Sequence, residues 1–180
     1  MSIVHLQAFI MGLIEAATEF LPVSSTGHLI LAGKLLNFQG PQGHVFEVAI
    51  QLGSVLAVLV LYFNRLWGVL VGLPKNEGDR HFAIVSIIAF LPAIFAGALL
   101  HDIIKTILFS PFVVCTALLV GGIAMLLIEK YRPEPRLHSI ETIPYKTALY
   151  IGLAQCLALV PGVSRSGATI LGGLCFGVDR

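Results

Sequence analysis

Between His81 and His101 the chain passes through Phe82–Leu100 without one charged side chain, and Phe112–Ile128 does the same. A third stretch, Phe46–Phe63, carries only Glu47. A helix needs about 20 mostly apolar residues to cross the hydrocarbon of a bilayer. Each stretch therefore predicts a full transmembrane helix, closed by Asn64-Arg65, His101-Asp102 and Glu129-Lys130. The chain is 57% hydrophobic and 12% charged, with mean hydropathy +0.91; soluble domains run at roughly 45–50% and 25%. A water-soluble globule is excluded. The net charge of +1 also excludes the polybasic footprint of a nucleic-acid binder. Cys115, Cys156 and Cys175 lie in apolar runs without metal-ligand or disulfide spacing, and read as small packing residues. No Lys or Arg precedes Lys34, so no cleaved signal peptide is expected.

Two further apolar segments are interrupted. Residues 5–36 break at Leu21-Pro22-Val23-Ser24-Ser25-Thr26-Gly27, and residues 145–176 at Pro161-Gly162-Val163-Ser164-Arg165-Ser166-Gly167. Such breaks free backbone groups that are tolerated at membrane depth only inside protein or beside a water-filled cavity. Both segments predict re-entrant helix-loop-helix hairpins with arms of roughly 10–14 residues, too short to cross alone. The whole is expected to be one all-α membrane domain. Lys and Arg counts set its orientation. The linkers 64–81 and 129–146 hold Arg65, Lys75, Arg80, Lys130, Arg132, Arg136 and Lys146, against Lys34 and Lys105 on the other side. The two linkers are expected in the cytoplasm, with the first hairpin dipping in from the outer face and the second from the cytoplasmic face. Pro92 predicts a kink in the second span.

The broken segments also match each other. Laid ungapped at an offset of 140, Gly12–Leu31 and Gly152–Leu171 share seven identities, including Val23/Val163, Ser24/Ser164 and Gly27/Gly167 around the breaks. Glu15 falls opposite Gln155. Three crossings between the copies put them on opposite faces, which is an inverted-repeat architecture with the site where the broken helices meet.

Glu15 and Glu19, four apart, share one helix face. Thr18, His28, Arg165 and the serines complete the polar set of the hairpins. An ionised group at the bilayer centre costs roughly 2.5–3.5 kcal/mol on insertion scales, so these groups are paired, hydrated or functional. One reading is an ion pair of Glu19 with Arg165 pinning the hairpins together. The other is phosphate-ester chemistry. Ser24-Ser25-Thr26 and Ser164-Arg165-Ser166 open helices whose free N–H groups favour an anion. Arg165 offers a planar fork for phosphate oxygens. Two carboxylates are hard ligands for a divalent cation, Mg²⁺ first and Ca²⁺ as the alternative. Ser25 and His28, within one turn, supply a nucleophile and a base. His5, His44, His81, His101 and His138 sit at span ends or in linkers and read as interfacial. Glu47 and Gln51, again four apart, open the first full span and are candidates to line the same cavity.

The segments Glu15–His28 and Pro161–Thr169, with Phe46–Ser54, resemble the signature segments of the undecaprenyl-pyrophosphate phosphatase family, the bacitracin-resistance proteins. The resemblance covers essentially the whole chain. It implies a multi-pass enzyme of the bacterial inner membrane, a phosphoric anhydride hydrolase whose site is reached from the outer face. Its substrate would be a polyprenyl pyrophosphate lipid, its product the monophosphate carrier of cell-wall synthesis, and bacitracin resistance would follow. By position, Glu15 and Glu19 match the acidic motif that binds the metal and assists catalysis, Ser25 and His28 the two candidate attacking groups, and Glu19 and Arg165 join them as catalytic residues. Ser164, Arg165, Ser166 and Thr169 match the pyrophosphate-binding segment. Membrane lipids are the surrounding partners, and a homodimer is a possible assembly. Family members continue for about three more membrane helices, whose absence would leave a packing gap; a C-terminally truncated chain is therefore expected. Two alternatives stand beside hydrolysis: a transporter or flippase of a phosphorylated lipid or anion, since inverted repeats suit alternating access, and an inactive fragment of the phosphatase.

Overall fold

The computed structural model describes residues 3–40, 45–103 and 110–179, apart from the side chains of 102 and 103. His44, Lys105 and the side chain of Asp102, used above to read the outer linkers, lie outside the described residues, as does Arg180. Among the described residues eight α-helices follow in order: α1 (Ile3–Thr18), α2 (Ser25–Leu35), α3 (Val45–Leu61), α4 (Phe63–Gly72), α5 (Glu77–Ile103), α6 (Pro111–Tyr131), α7 (Tyr145–Gln155) and α8 (Arg165–Cys175). A 3₁₀ turn at Ile140–Thr142 precedes α7, and another at Cys156–Leu159 extends it. Among the described residues the sole β-type pairing is one isolated parallel bridge between Leu137 and Val178.

The caps follow local chemistry. The Asn76 side chain accepts from Gly78 N at 2.9 Å, and Glu77 and Asp79 in the first turn of α5 suit its positive dipole end. α6 starts on Ser110, whose hydroxyl accepts from Val113 N, with Pro111 at the first helical position. At 27 and 21 residues these two helices reach about 40 and 30 Å. They are long and apolar enough to cross a bilayer, and only 6% of each apolar window is buried within the protein. Large apolar side chains directed outward over this area mark a surface solvated by lipid. The chain is an integral membrane protein. α5 passes through Pro92 without interruption.

The span expected at Phe46–Phe63 is realised differently. α3 ends at Leu61, and α4 leaves it at 69°, so the pair makes a third span only as a bent one. The linker expected at 64–81 is accordingly mostly helical, and His81 lies inside α5. Asn64-Arg65 reads as a terminator in the sequence, yet neither residue breaks a helix; the direction changes at Tyr62, whose backbone alone departs from helical angles.

Both interrupted segments form helix-loop-helix units, α1 on α2 and α7 on α8. α1, at 16 residues, is longer than the expected arm; the other three arms have 11. α2 begins and ends at 25 and 35, and α8 at 165 and 175, so the offset of 140 holds at both ends. Ser24 and Ser164 cap these helices identically, accepting from Gly27 N at 3.3 Å and Gly167 N at 3.0 Å. The second unit is tied to the bundle through α5. Val85, Ile143 and Ala148 form a buried cluster there, and Gly152 lies flat against the backbone of Ala89.

Candidate active site

The tips of the two units meet. A relay runs from Gly167 N to Ser164 Oγ, on to Ser166 Oγ at 3.0 Å, and from Ser166 Oγ to the Leu21 carbonyl at 3.0 Å. The break of the second unit is thus bonded to the break of the first, at a carbonyl that also accepts from Val23 N at 2.8 Å. Around this junction lies a cavity of about 250 Å³, lined by Glu19, Ser25, Thr26, Gln51, Gln155 and Arg165 among others. Two helix N-termini open on it. In both, the third and fourth N–H groups bond to the capping serine, while those of Ser25, Thr26, Arg165 and Ser166 take no main-chain partner among the described residues. That geometry suits an anion.

Inside the cavity the decisive contact is Ser25 Oγ donating to Glu19 Oε2. Ser25 is buried and Glu19 half-buried. The break folds Glu19 back over the first turn of α2, so a carboxylate six residues away engages the serine. The pairing of Ser25 with His28 suggested by their spacing is not made. His28 Nδ1 instead donates to the Ser24 carbonyl at 2.9 Å. Its ring lines a second, apolar groove of about 980 Å³ between α6 and α8, which shares Val163 and Ser164 with the polar cavity. Ser24 has φ 62°, a region L side chains rarely adopt, whereas Ser164 has φ −70°. Strain of this kind costs about 1–3 kcal/mol and persists where the surroundings enforce it. The strained residue precedes the nucleophile candidate and itself supplies the carbonyl that holds His28.

Arg165 is exposed and lines the cavity, and among the described residues no ion pair joins it to Glu19 or Glu15. The pinning role suggested for a Glu19–Arg165 pair is therefore not realised, and the guanidinium remains available to a ligand. Thr26 receives a long hydrogen bond of 3.5 Å from Gln51 Nε2 on α3. Glu47 is absent from the lining. Thr169 reaches the cavity, but its hydroxyl is turned back to the carbonyls of Arg165 and Ser166. The serines therefore divide by role: Ser24 and Ser164 cap helices, Ser166 joins the tips, and Ser25 faces an acid. Gln155, Phe20 and Ala158 were not singled out as cavity residues from sequence. The repeat alignment of Gln155 with Glu15 was the signal that marked the glutamine.

Glu15 is 1% exposed, and neither carboxylate oxygen has a hydrogen-bond partner. Glu19, Ser25 and Arg165 are its polar neighbours. A buried acid without partners is costly unless something else fills its coordination. Two carboxylates and a hydroxyl are hard oxygen donors, matching Mg²⁺ or Ca²⁺ and not a soft metal. Among the described residues no group of three or more His, Cys, Asp or Glu assembles. A cation here would complete its shell with water and ligand oxygens, as Mg²⁺ commonly does with one or two carboxylates. The residues fit such an ion.

A lipid-solvated helical bundle, with two broken helices aiming N-termini, an arginine and a serine–carboxylate pair into one cavity, defines a membrane protein built to handle an anionic group. The family model "Bacitracin resistance protein BacA" matches residues 8–180. An undecaprenyl-diphosphatase of Azospirillum brasilense is 61% identical over 176 residues, 98% of this chain and 94% of the relative. Those of Parvibaculum lavamentivorans and Caulobacter vibrioides are 54% and 53% identical over 97% and 96% of this chain, which spans 65% of each. The chain belongs to the bacitracin resistance protein family. Against the truncation expected from sequence, it spans nearly the full length of the first relative and less than two thirds of the other two.

Proposed function

We infer that the chain hydrolyses undecaprenyl diphosphate to undecaprenyl phosphate and inorganic phosphate, returning the lipid carrier to cell-wall synthesis and conferring bacitracin resistance. The observation that carries this reading is the Ser25–Glu19 contact within a cavity that Arg165 also lines. A binding protein or carrier would need the arginine but no nucleophile with its base.

In this mechanism Arg165 and the free N–H groups of the two helix starts hold the diphosphate. Ser25 Oγ attacks the terminal phosphorus, and its proton passes to Glu19 Oε2. The bond from that phosphorus to the bridging oxygen breaks, and undecaprenyl phosphate leaves with the electron pair. Glu19 then sheds that proton to solvent, takes another from the water that attacks the phosphoserine, and returns it to Ser25 Oγ as inorganic phosphate leaves. His28, with Nδ1 committed to the Ser24 carbonyl, has Nε2 left to exchange a proton with the leaving phosphate. Glu15 and the second oxygen of Glu19 would hold Mg²⁺ or Ca²⁺, which supplies neutralisation of phosphate charge when bound. Positioning and charge neutralisation are the main requirements of phosphoryl transfer.

The apolar groove beside Ser164 takes the adjoining part of the prenyl chain, so that head and tail bind in contiguous sites. The positively charged linkers face the cytoplasm of a bacterial inner membrane. The two helix-loop-helix units are re-entrant from opposite faces, and the head group enters from the outer side. Phosphate release from undecaprenyl diphosphate in detergent micelles tests the reading, with Ser25→Ala expected to lose at least about 10²-fold in rate while lipid binding persists. Binding without release by the unmodified chain would favour a carrier.

A further inference from the structure

α4 has properties that neither a spanning helix nor a packed one shares. At ten residues it is about 15 Å long, half the hydrocarbon thickness. It turns 69° away from α3, so it cannot follow the path α3 takes through the bilayer. Only Val69 of its residues is buried, and α4 packs against α5. Phe63, Leu66, Trp67, Leu70 and Val71 are exposed, and Phe63 stacks on Trp67 with centroids 6.0 Å apart. Asn64 and Arg65 share the same short helix. Water would leave five large apolar side chains unburied, and the bilayer centre would leave Arg65 in hydrocarbon. Only the boundary between headgroups and acyl chains satisfies both sets, and it is where Trp is enriched.

We propose that α4 is an interfacial helix, seated in the headgroup–acyl boundary at the end of the bundle that carries Arg65, Arg80 and Lys146, with Phe63 and Trp67 as its anchors. Its occupant is the lipid surface itself. The exposed apolar face of α3, through Val60 and Leu61, runs without a gap into Tyr62 and Phe63, so the lipid contact of the span continues onto α4. The anchoring is apolar and not headgroup-specific. Arg65, the one cation of α4, is already engaged by Glu141 at 3.5 Å and by the Phe82 ring at 5.9 Å. The same structure fixes the height at which α3 leaves the bilayer.

The test needs no engineered variant for its main readout, because Trp67 is the chain's single tryptophan. The full chain is reconstituted into phosphatidylcholine vesicles whose acyl chains carry bromine either near the headgroup or near the terminal methyl. Shallow bromines are expected to quench Trp67 about twofold or more strongly than deep ones, since interfacial helices sit only about 5–10 Å below the headgroups. Adding phosphatidylglycerol, or raising salt, leaves that ratio unchanged. Trp67→Phe supplies the blank. Stronger quenching by deep bromines would show α4 continuing into the bilayer and overturn the proposal. So would no quenching by either label, with full access to acrylamide. A ratio that appears only with phosphatidylglycerol would overturn the apolar anchoring.

Discussion

Gly12 and Gly152 occupy the same position in the two copies of the repeat, yet the structure assigns their substitution by alanine opposite outcomes. A Cβ at Gly152 would lie 2.4 Å from the Ala89 carbonyl oxygen and 3.0 Å from Pro92 Cγ, while one at Gly12 would meet nothing within 4 Å. Ordinary contact begins near 3.4 Å, so α7 must retreat from α5 by about 1 Å. The obstacle is backbone, which cannot rotate aside. Overpacking of this kind costs roughly 1–3 kcal/mol, and the helix-propensity gain of alanine returns up to about 1 kcal/mol. A net loss of about 1–2 kcal/mol in a chain of this length lowers the apparent thermal midpoint in detergent by about 2–8 °C. Gly12→Ala, with the gain and no obstacle, raises it by about 1–4 °C. Activity separates the two further. Gln155, one turn beyond Gly152, lines the cavity, and a 1 Å displacement of a positioning group can remove up to about 10² in rate. Gly152→Ala should therefore lose about tenfold or more in phosphate release, and Gly12→Ala little. Equal shifts in midpoint and rate would falsify the close α5–α7 seam on which the reasoning depends.

Removing divalent cations with a chelator should abolish phosphate release, and added Mg²⁺ should restore it; Glu15→Gln should raise the Mg²⁺ concentration for half-activation without lowering the thermal midpoint, because the buried carboxyl it replaces has no hydrogen bond to lose. Ser166→Ala removes the hydroxyl that donates to the Leu21 carbonyl, so the midpoint should fall by about 2–4 °C for roughly 1 kcal/mol. Gly122 lies in the apolar groove with open space around it. Gly122→Leu should raise KM for the undecaprenyl substrate by about tenfold; an unchanged KM would place the tail elsewhere.

What the sequence made legible was whatever composition or repetition encodes. The charge-free runs at Phe82–Leu100 and Phe112–Ile128 are the lipid-facing helices α5 and α6, because removal of charge over such a length has one common cause. The Pro-Gly-Ser interruptions are breaks, and the offset of 140 predicts the register at which α8 repeats α2. The bend at Tyr62 was not legible. Apolar residues continue through it, and apolarity specifies an environment and not a direction. The site was legible as a set of residues but not as a set of contacts. Ser25 and His28 are three apart on one helix, which suggests a pair. The partner that engages Ser25 is Glu19, brought across a break whose path no spacing rule describes. Gln51, from a third helix, could be named only as a candidate.

The structure also explains why a duplicated scaffold yields one site and not two. Backbone and caps are kept in both copies: helix ends at matching positions, Ser24 and Ser164 as caps, Gly27 and Gly167 as the capped N–H donors. The chemistry is not kept. At the same offset Glu15 faces Gln155, Glu19 faces Leu159, Ser25 faces Arg165, and His28 faces Ala168. Every acid of the first copy is neutral in the second, and the nucleophile position of the first holds the only cation of the second copy's tip. Had both copies kept the acids, like charges would crowd one low-dielectric cavity, and had both carried arginine at this position, Ser25 itself would be lost. In the proposed mechanism, divergence leaves one half that attacks and one half that holds the anion. The Ser166–Leu21 bond fixes those halves against each other, and so the distance between them is set by the fold and not by the substrate.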